Sequence, residues 1–509
     1  MNFRIFLWIL SLAILSVGAR NFETGMTIDG PLYASIARRI AETGEYFFLY
    51  GGMPDFIPFA EHPHLAFWIQ SLFLEFLPAE DWAVRVMGHL LYLLTLCLSF
   101  SFAKHFYNAR VATWSVILLW AFPVFSNFYS TFYIDPSCIA AGYLFALLYA
   151  KSLHAEKLRW VFASVAGLFL GFSFMSKGLT ALAFGPVAAL SFFWKIRSKV
   201  WLTRSLLSLV TLGVCSSVLS LYYWGIQQSS VPDFLDIYWQ RQMSNRFSNA
   251  YTLENFFRLE FWSRLLKDTH YLVLLLPFAF WKLKNDTGRW FLATIVCTFI
   301  LMYAPARRVG VQYWIPLFPP IAIFIATLAQ RLRFSIRSLQ VFTGRFSLAA
   351  VLLLQYLPFP THRIYNSATA HDLKVLHERG VIDSALLVSS KDTLNFAGRG
   401  TLAWYANINV HYLPEEAFSN SRATSSSVKG KFRAPVYLEE TPPDGFGRMA
   451  LYWHPKEKEH ELDAPLSLYI PDPINNNKEL QFCLYHTYLR ERSWLYLPKG
   501  ETDLSLQCD

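Results

Sequence analysis

Charge is scarce in this 509-residue chain, with 16% of residues Asp, Glu, Lys or Arg against 54% hydrophobic ones. That balance excludes an ordinary soluble enzyme, in which about a quarter of residues are charged. Cysteine is also sparse: there are six, with no CxxC pair and no zinc-type spacing, so neither a zinc ribbon nor a thiol redox motif is present. Cys97, Cys138, Cys215 and Cys297 fall in apolar segments, where a thiol behaves as a small hydrophobe. Cys483 and Cys508 lie near the C-terminus and could pair in an oxidising compartment. No soluble solenoid period recurs. The formal charge of +9 comes from dispersed rather than clustered Lys and Arg. This excludes nucleic acid as a partner and leaves the bias of cytoplasmic membrane loops as the explanation.

In place of charge the chain has apolar runs. Candidate spans are Phe3–Ala19, Trp82–Ala103, Val111–Asn127, Ile134–Ala150, Trp160–Ser176, Leu179–Trp194, Leu206–Trp224, Tyr271–Trp281, Trp290–Ala304, Tyr313–Ala329 and Phe346–Leu357. Several are at the short end of the roughly 17–25 residues a spanning helix needs. Phe3–Ala19, with Arg4 near its start and small residues at its end, also has features of a signal peptide. The many spans that follow favour an uncleaved first helix.

With about 11 spans and the N-terminus inside, the cytoplasmic loops become Lys104–Arg110, Lys151–Arg159, Lys195–Arg204, Lys282–Arg289 and Arg331–Arg345. Each starts and ends on a basic residue, as the positive-inside rule requires. Outside then lie a first loop over 20–64, a turn at 129–135, a large loop over 225–269 and everything after about Thr361. The tail is richer in polar residues and carries SNSRATSSS at 419–427. Strand-like runs at Ala385–Val388, Asn407–Tyr412, Ala434–Leu438 and Leu480–Tyr485, with a helix near His371–Glu378, suggest a small α/β domain. The expected fold is mainly α. A polytopic transmembrane helix bundle over 1–360 has amphipathic helices in its first outer loop, and an α/β extracytoplasmic domain follows over 361–509.

The stretch Ile28–Trp68 concentrates titratable groups just past the first apolar run. Asp29 precedes a helical pattern with Ile28, Leu32, Ile36 and Ile40 on one face, Arg38, Arg39 and Glu42 on others, and Gly44 at its stop. Such a helix would lie along the membrane surface with its apolar face down. Asp29 suits both an N-cap and a catalytic base, and spacing leaves the two about even. Glu61, His62 and His64 stand before an apolar segment, with Pro63 suited to a first helical turn. Their i, i+1, i+3 spacing matches no standard metal site, and capping is favoured. Asp135, before Pro136, is either an N-cap or an ionised group at membrane level with a partner or function. Lys177, followed by Gly178 between two apolar runs, must snorkel outward or meet an anion. Arg246, Arg307 and Arg308 are basic residues on the outer face, against the usual trend. They suit either an anionic ligand such as a lipid phosphate, or lipid headgroups and tail carboxylates.

Five elements in order carry a resemblance: IDGPLYASIARRIAETGEY, EHPHLAFWIQSLF, YIDPSCIAAGYLFAL, GLFLGFSFMSKGLTAL and QYWIPLFPPIAI. Together they resemble the GT-C polyprenyl-phosphate-sugar-dependent glycosyltransferases, in the branch of the protein O-mannosyltransferases and the lipid A aminoarabinose transferases. The resemblance covers roughly residues 1–360. It implies a membrane glycosyltransferase, inverting at the anomeric carbon, at the periplasmic face of the cytoplasmic (inner) membrane. Its donor is a sugar on a polyprenyl phosphate; its acceptor is a lipid A-like glycolipid, a glycan or a protein.

The resemblance also implies residue roles: Asp29 as catalytic base, Asp135 as a second aspartate, and Glu61 with His62 beside the catalytic centre. Lys177 and Arg246 would hold the carrier phosphate. Apart from the resemblance, the chemistry of the transfer adds Arg307 or Arg308 as a further cation and Tyr33, with nearby Trp or Tyr rings, as an apolar face for the sugar. The resemblance requires no cofactor and leaves a divalent metal open, with Glu61 and His62 as weak candidate ligands. Three departures stand out: Gly30 follows Asp29 where an acidic residue is common, His62 stands where Lys commonly precedes the Pro, and Gln242 and Met243 replace a loop His. They weaken the metal reading. The rival readings are a polytopic lipid or glycan transporter and a non-catalytic assembly subunit.

Overall fold

The computed structural model describes residues 3–18, 26, 29–49, 59–130, 134–191, 201–228, 234–244, 257–269, 271–277, 286–304, 313–330 and 337–346 except 339, then 367–379, 403–405 and seven strands. The chain divides into two compact units. The first comprises Met1–Glu23, Tyr46–Phe48 and Ala60–Pro360; the second comprises Thr24–Glu45, Leu49–Phe59 and Thr361–Asp509.

The first unit is helical. Its elements are α1 (Phe3–Val17), α3 (Leu65–Leu74), α4 (Asp81–Phe106), α5 (Ala109–Ala121), α6 (Pro123–Tyr129), α7 (Asp135–His154), α8 (Arg159–Lys177), α9 (Gly185–Ser191) and α10 (Trp201–Gln227). They are followed by α11 (Phe234–Tyr238), α12 (Leu259–Asp268), α13 (Asp286–Tyr303) and α14 (Phe318–Ala329). Among the described residues four helices are long and apolar enough to cross a membrane: Asp81–Phe106, Asp135–His154, Arg159–Ala181 and Trp201–Gln227. Phe3–Val17, Leu65–Leu74, Ala109–Ala121, Gly288–Tyr303 and Ile315–Ala329 are shorter apolar helices.

Local chemistry sets the ends. The Asn108 side chain accepts the amides of Arg110 and Val111 at 2.9 and 3.0 Å and starts α5. The apolar run Val111–Asn127 is not one helix. Phe122 is extended and Pro123, which has no N–H to continue the ladder, opens α6. The run Leu179–Trp194 likewise begins as a 3₁₀ turn, Gly178–Ala183, before α9. The Tyr271–Trp281 run starts as another, Leu272–Leu275, and Phe346–Leu357 lies outside the described residues apart from Phe346.

Helices α7 and α8 are antiparallel neighbours across a short turn, and α8 also packs closely on α10. At Gly171 an added Cβ would sit 2.9 Å from Val218, and at Gly167 it would strike the Thr211 carbonyl, so both glycines are required by the approach of α10. The core is rich in aromatic rings, with Phe100, Phe102, Tyr143, Tyr149, Phe184, Phe291 and Phe318 fully buried.

The second unit contains α2 (Gly30–Thr43), α15 (Ser367–Glu378) and a mixed sheet. The strands are β1 (Ser384–Ser389), β2 (Asn409–Pro414), β3 (Lys431–Arg433), β4 (Met449–His454), β5 (Leu466–Ile470), β6 (Lys478–Tyr488) and β7 (Ser493–Pro498), in the order β2-β1-β4-β7-β6-β5-β3. β1 runs parallel to both β2 and β4, and β5 parallel to β3; the β4–β7, β7–β6 and β6–β5 pairs are antiparallel. Residues 434–438 and Cys508 lie outside the described residues, while Cys483 pairs with Leu497 in the β6–β7 ladder.

The helix expected along the membrane surface is instead buried along most of its length. Leu32 to Arg38 and Ile40 are all covered. Arg38, expected on the polar side, donates to the carbonyls of Ala403 and Trp404 at 2.6 and 2.9 Å and lies 5.1 Å from the centre of the Trp404 ring. Two carbonyls and an aromatic face supply the partners that a buried guanidinium needs. Burial lowers its pKa to about 10, with Glu42 opposing that shift and Arg39 adding to it, so Arg38 keeps its charge at neutral pH. Gly44 ends the helix at φ 72°, with its N–H on the Ile40 carbonyl at 2.8 Å.

Candidate functional site

The turn between α7 and α8 is short, so the N-terminus of α7 lies beside the C-terminus of α8. Asp135 opens one helix and Lys177 closes the other, where each helix dipole favours the charge it carries. Their side chains meet: Lys177 Nζ donates to Asp135 Oδ2 at 2.5 Å, with Asp135 fully buried and Lys177 9% exposed. Of the alternatives open for Lys177, the structure takes the anion rather than snorkelling, and the anion is within the chain. The cap at α7 is Ile134, with no side-chain cap bond, which leaves the Asp135 carboxylate for the lysine. One turn further in, Ser173 donates to the Cys138 carbonyl at 2.9 Å and holds the two helices together below the pair.

Gly178 follows Lys177 at φ 59° and ψ −122°, a conformation that excludes most side chains. A Cβ there would collide with the Tyr238 hydroxyl and come within 3.5 Å of Pro63 Cγ. The next amide, Leu179 N–H, donates to Tyr238 Oη at 3.4 Å. Three segments distant in sequence therefore meet at one point: His62-Pro63-His64, Lys177-Gly178-Leu179 and α11.

His64 ties the first of these in place. Burial lowers its pKa to about 3, against a smaller opposing effect of the Phe47 carbonyl, so the ring is neutral. A neutral ring has one donor and one acceptor. Nε2 lies 3.2 Å from the Phe47 carbonyl and must donate to it, so Nδ1 accepts from the Tyr222 hydroxyl at 2.6 Å. The His64 backbone N–H returns a bond to Tyr222 Oη at 3.2 Å. Trp68 Nε1 donates to the Tyr46 carbonyl at 2.5 Å, and the rings of Phe47 and Trp68 meet edge-on at 5.3 Å. Phe234 leans on His64 at 5.0 Å and stacks with Tyr238 at 6.0 Å.

Asp29 and Tyr33 belong to the second unit. Asp29 is half-buried and makes no side-chain cap bond to α2; its carbonyl accepts Tyr33 N–H at 3.0 Å. The Tyr33 ring is buried edge-on against Phe59 at 6.4 Å. Gly30 is explained by crowding, since a Cβ would lie 2.9 Å from Met26. Glu61 is half-buried and His62 buried. Among the described residues no three His, Cys, Asp or Glu side chains converge as a metal site, so Glu61 and His62 have no third described ligand. Arg246, Arg307 and Arg308 lie outside the described residues. Tyr238, Tyr222 and Phe47 were not singled out in the sequence; the glycine after Lys177 leaves room for Tyr238, and Gly225 for the Phe47 ring.

Residues 61–224 match the sequence profile of the dolichyl-phosphate-mannose-protein mannosyltransferase family. The fold is similar to that of ArnT from Cupriavidus metallidurans bound to undecaprenyl phosphate, at TM-score 0.66 and 11% identity over 97% of each chain. It is similar to the same protein in the apo state, at TM-score 0.60 and 13% identity over 80% of this chain and 85% of that one. The archaeal oligosaccharyltransferase AglB from Archaeoglobus fulgidus matches at TM-score 0.51 and 9% identity, over 80% of this chain and 64% of that one. No curated protein matches by sequence. The fold is thus the polytopic helical one that these GT-C-type glycosyltransferases share. The sequence likeness is to the mannosyltransferase family, over Glu61–Trp224, about a third of the chain.

Proposed function

We propose that this chain transfers a sugar from a polyprenyl-phosphate-linked donor to a lipid A-like glycolipid, a glycan or a protein. The reaction takes place at the outer face of the cytoplasmic membrane. The observation that carries the reading is the Asp135–Lys177 pair, buried at one end of two spanning helices beside the His62-Pro63-His64 segment. A transporter would gather such groups near the bilayer midplane on broken helices; these are at helix ends, where a lipid headgroup lies. The similar fold seen with undecaprenyl phosphate adds support for a carrier of that chemistry.

In the proposed reaction an acceptor oxygen attacks the anomeric carbon. The bond from that carbon to the phosphate oxygen breaks and its electron pair leaves on the phosphate. The acceptor proton passes to the Asp29 carboxylate. A single displacement inverts the anomeric centre. The leaving phosphate is already a stable anion, so preorganised positive charge serves better than an acid. Lys177 supplies that charge, with Arg246, Arg307 and Arg308 as further cations. Asp135 holds the lysine in place until the phosphate arrives. Tyr33 offers the sugar an apolar face, and Glu61 and His62 line the approach. Any divalent metal would draw on Glu61 and His62 together with the substrate.

The test is transfer by purified protein in nanodiscs, given an undecaprenyl-phosphate-linked sugar and a membrane lipid extract and read by mass spectrometry. Asp29→Asn is expected to lose ~10²–10⁴ in rate while inserting normally. Full activity in that variant removes Asp29 from the role of base.

A further inference from the structure

Helix α11 lies in the large outer loop, and nothing in its sequence pattern marks it as functional. Phe234 is buried at 3% exposure, Ile237 and Tyr238 are half-buried against the same cluster, and Leu235 faces outward at 46%. Tyr238 is in contact with the one turn on which the carrier reading depends. Its hydroxyl lies against the Gly178 Cα side of the chain and accepts the Leu179 amide. That contact falls at the first two residues after Lys177, where the chain leaves α8 in a conformation only glycine adopts readily. The backbone direction there decides where the lysine side chain starts, and so where its ammonium lies relative to Asp135.

Behind Tyr238 is a continuous support. Its ring stacks on Phe234, Phe234 rests on His64, and His64 is held by Tyr222 on α10 and by Phe47. Both ring nitrogens of His64 are engaged, so this support has little freedom to tilt. We propose that Tyr238 is the positioning residue for Lys177. Seated on the Phe234–His64 stack, it fixes the Lys177-Gly178-Leu179 turn and thereby aims the ammonium at the carrier phosphate. The proposal rests on the reading of Lys177 as the carrier-phosphate residue. Tyr238 itself need not touch the substrate.

The experiment compares the full-length chain with Tyr238→Phe and Tyr238→Ala in nanodiscs, using undecaprenyl phosphate as the probe and the linked sugar as donor. Tyr238→Phe keeps the ring stack and loses only the amide contact, so its dissociation constant is expected to rise about 2- to 10-fold, the span of one hydrogen bond. Tyr238→Ala, which also leaves the Phe234 face uncovered, is expected to weaken binding further, with donor KM rising more than kcat falls. Unchanged melting temperature in Tyr238→Phe separates positioning from a fold defect, and that variant decides the matter if the alanine form is unstable. Wild-type affinity in both variants, or a fall in kcat at constant KM, overturns the positioning role alone. Absence of undecaprenyl phosphate binding by the wild-type chain overturns the carrier reading and this one together.

Discussion

At the scale of single residues, the Asp135–Lys177 pair has the sharpest energetic consequences. Removing one member of a buried ion pair leaves the other uncompensated, at a cost of ~3–5 kcal/mol, whereas replacing both with apolar residues is often neutral. Lys177→Met is therefore expected to lower the melting temperature in detergent, and Lys177→Met with Asp135→Leu to recover most of the loss. Neither variant should transfer sugar. An active double variant would show that the pair is structural. His64 gives a pH signature. Its folded pKa of about 3 lies below the unfolded value of 6.5, so between those values the unfolded chain binds a proton that the folded chain refuses. Its contribution to stability is complete above about pH 6.5 and is lost progressively as pH falls toward 3. His64→Gln, compared with the wild-type chain across that window, is expected to show a shallower fall in melting temperature. Equal slopes would mean that other groups dominate acid unfolding.

Elements show what the sequence discloses and what it conceals. Asp135 and Lys177 stand out in the sequence because ionised groups are costly at membrane level. Two runs of about 20 residues joined by a short turn can pair antiparallel and bring such ends together. What composition cannot reveal is whether Lys177 snorkels or turns inward, because its partner Asp135 lies 42 positions away and Tyr238 and Pro63 reach the following turn from other segments. Tyr238 has no sequence signal of its own, being one of 26 tyrosines in a loop without periodicity. The break at Phe122-Pro123 was visible as a proline, but the run stays apolar through it, so hydropathy alone reads one span. Arg38 misled for a related reason: its partners are backbone carbonyls 365 and 366 positions away, which have no residue identity to recognise. The α8–α10 contact gives the test at this scale. Gly167→Leu forces a side chain against the Thr211 carbonyl and should destabilise the protein by ~1–3 kcal/mol. Gly213→Leu, on α10 with open space around its Cβ position, serves as the control.

Across the whole molecule, the basic loops predict an orientation that labelling can check. In a cysteine-free background, Ser426→Cys is expected to react with a membrane-impermeant maleimide from outside the cell. Lys157→Cys should react only after permeabilisation. The reverse pattern would place the Asp29 loop and the tail in the cytoplasm and end the proposed reaction at the outer face. The two compact units also share the chain unevenly. The second takes Thr24–Glu45 from near the N-terminus as well as everything from Thr361 onward, and Arg38 joins those parts through Ala403 and Trp404. A stop codon or protease cut just past Pro360 would consequently do more than trim an appendage. It would strand a charged guanidinium without its acceptors and loosen the helix that starts beside Asp29, so that loss of the C-terminal third would register first as loss of the proposed chemistry at the opposite end of the polypeptide.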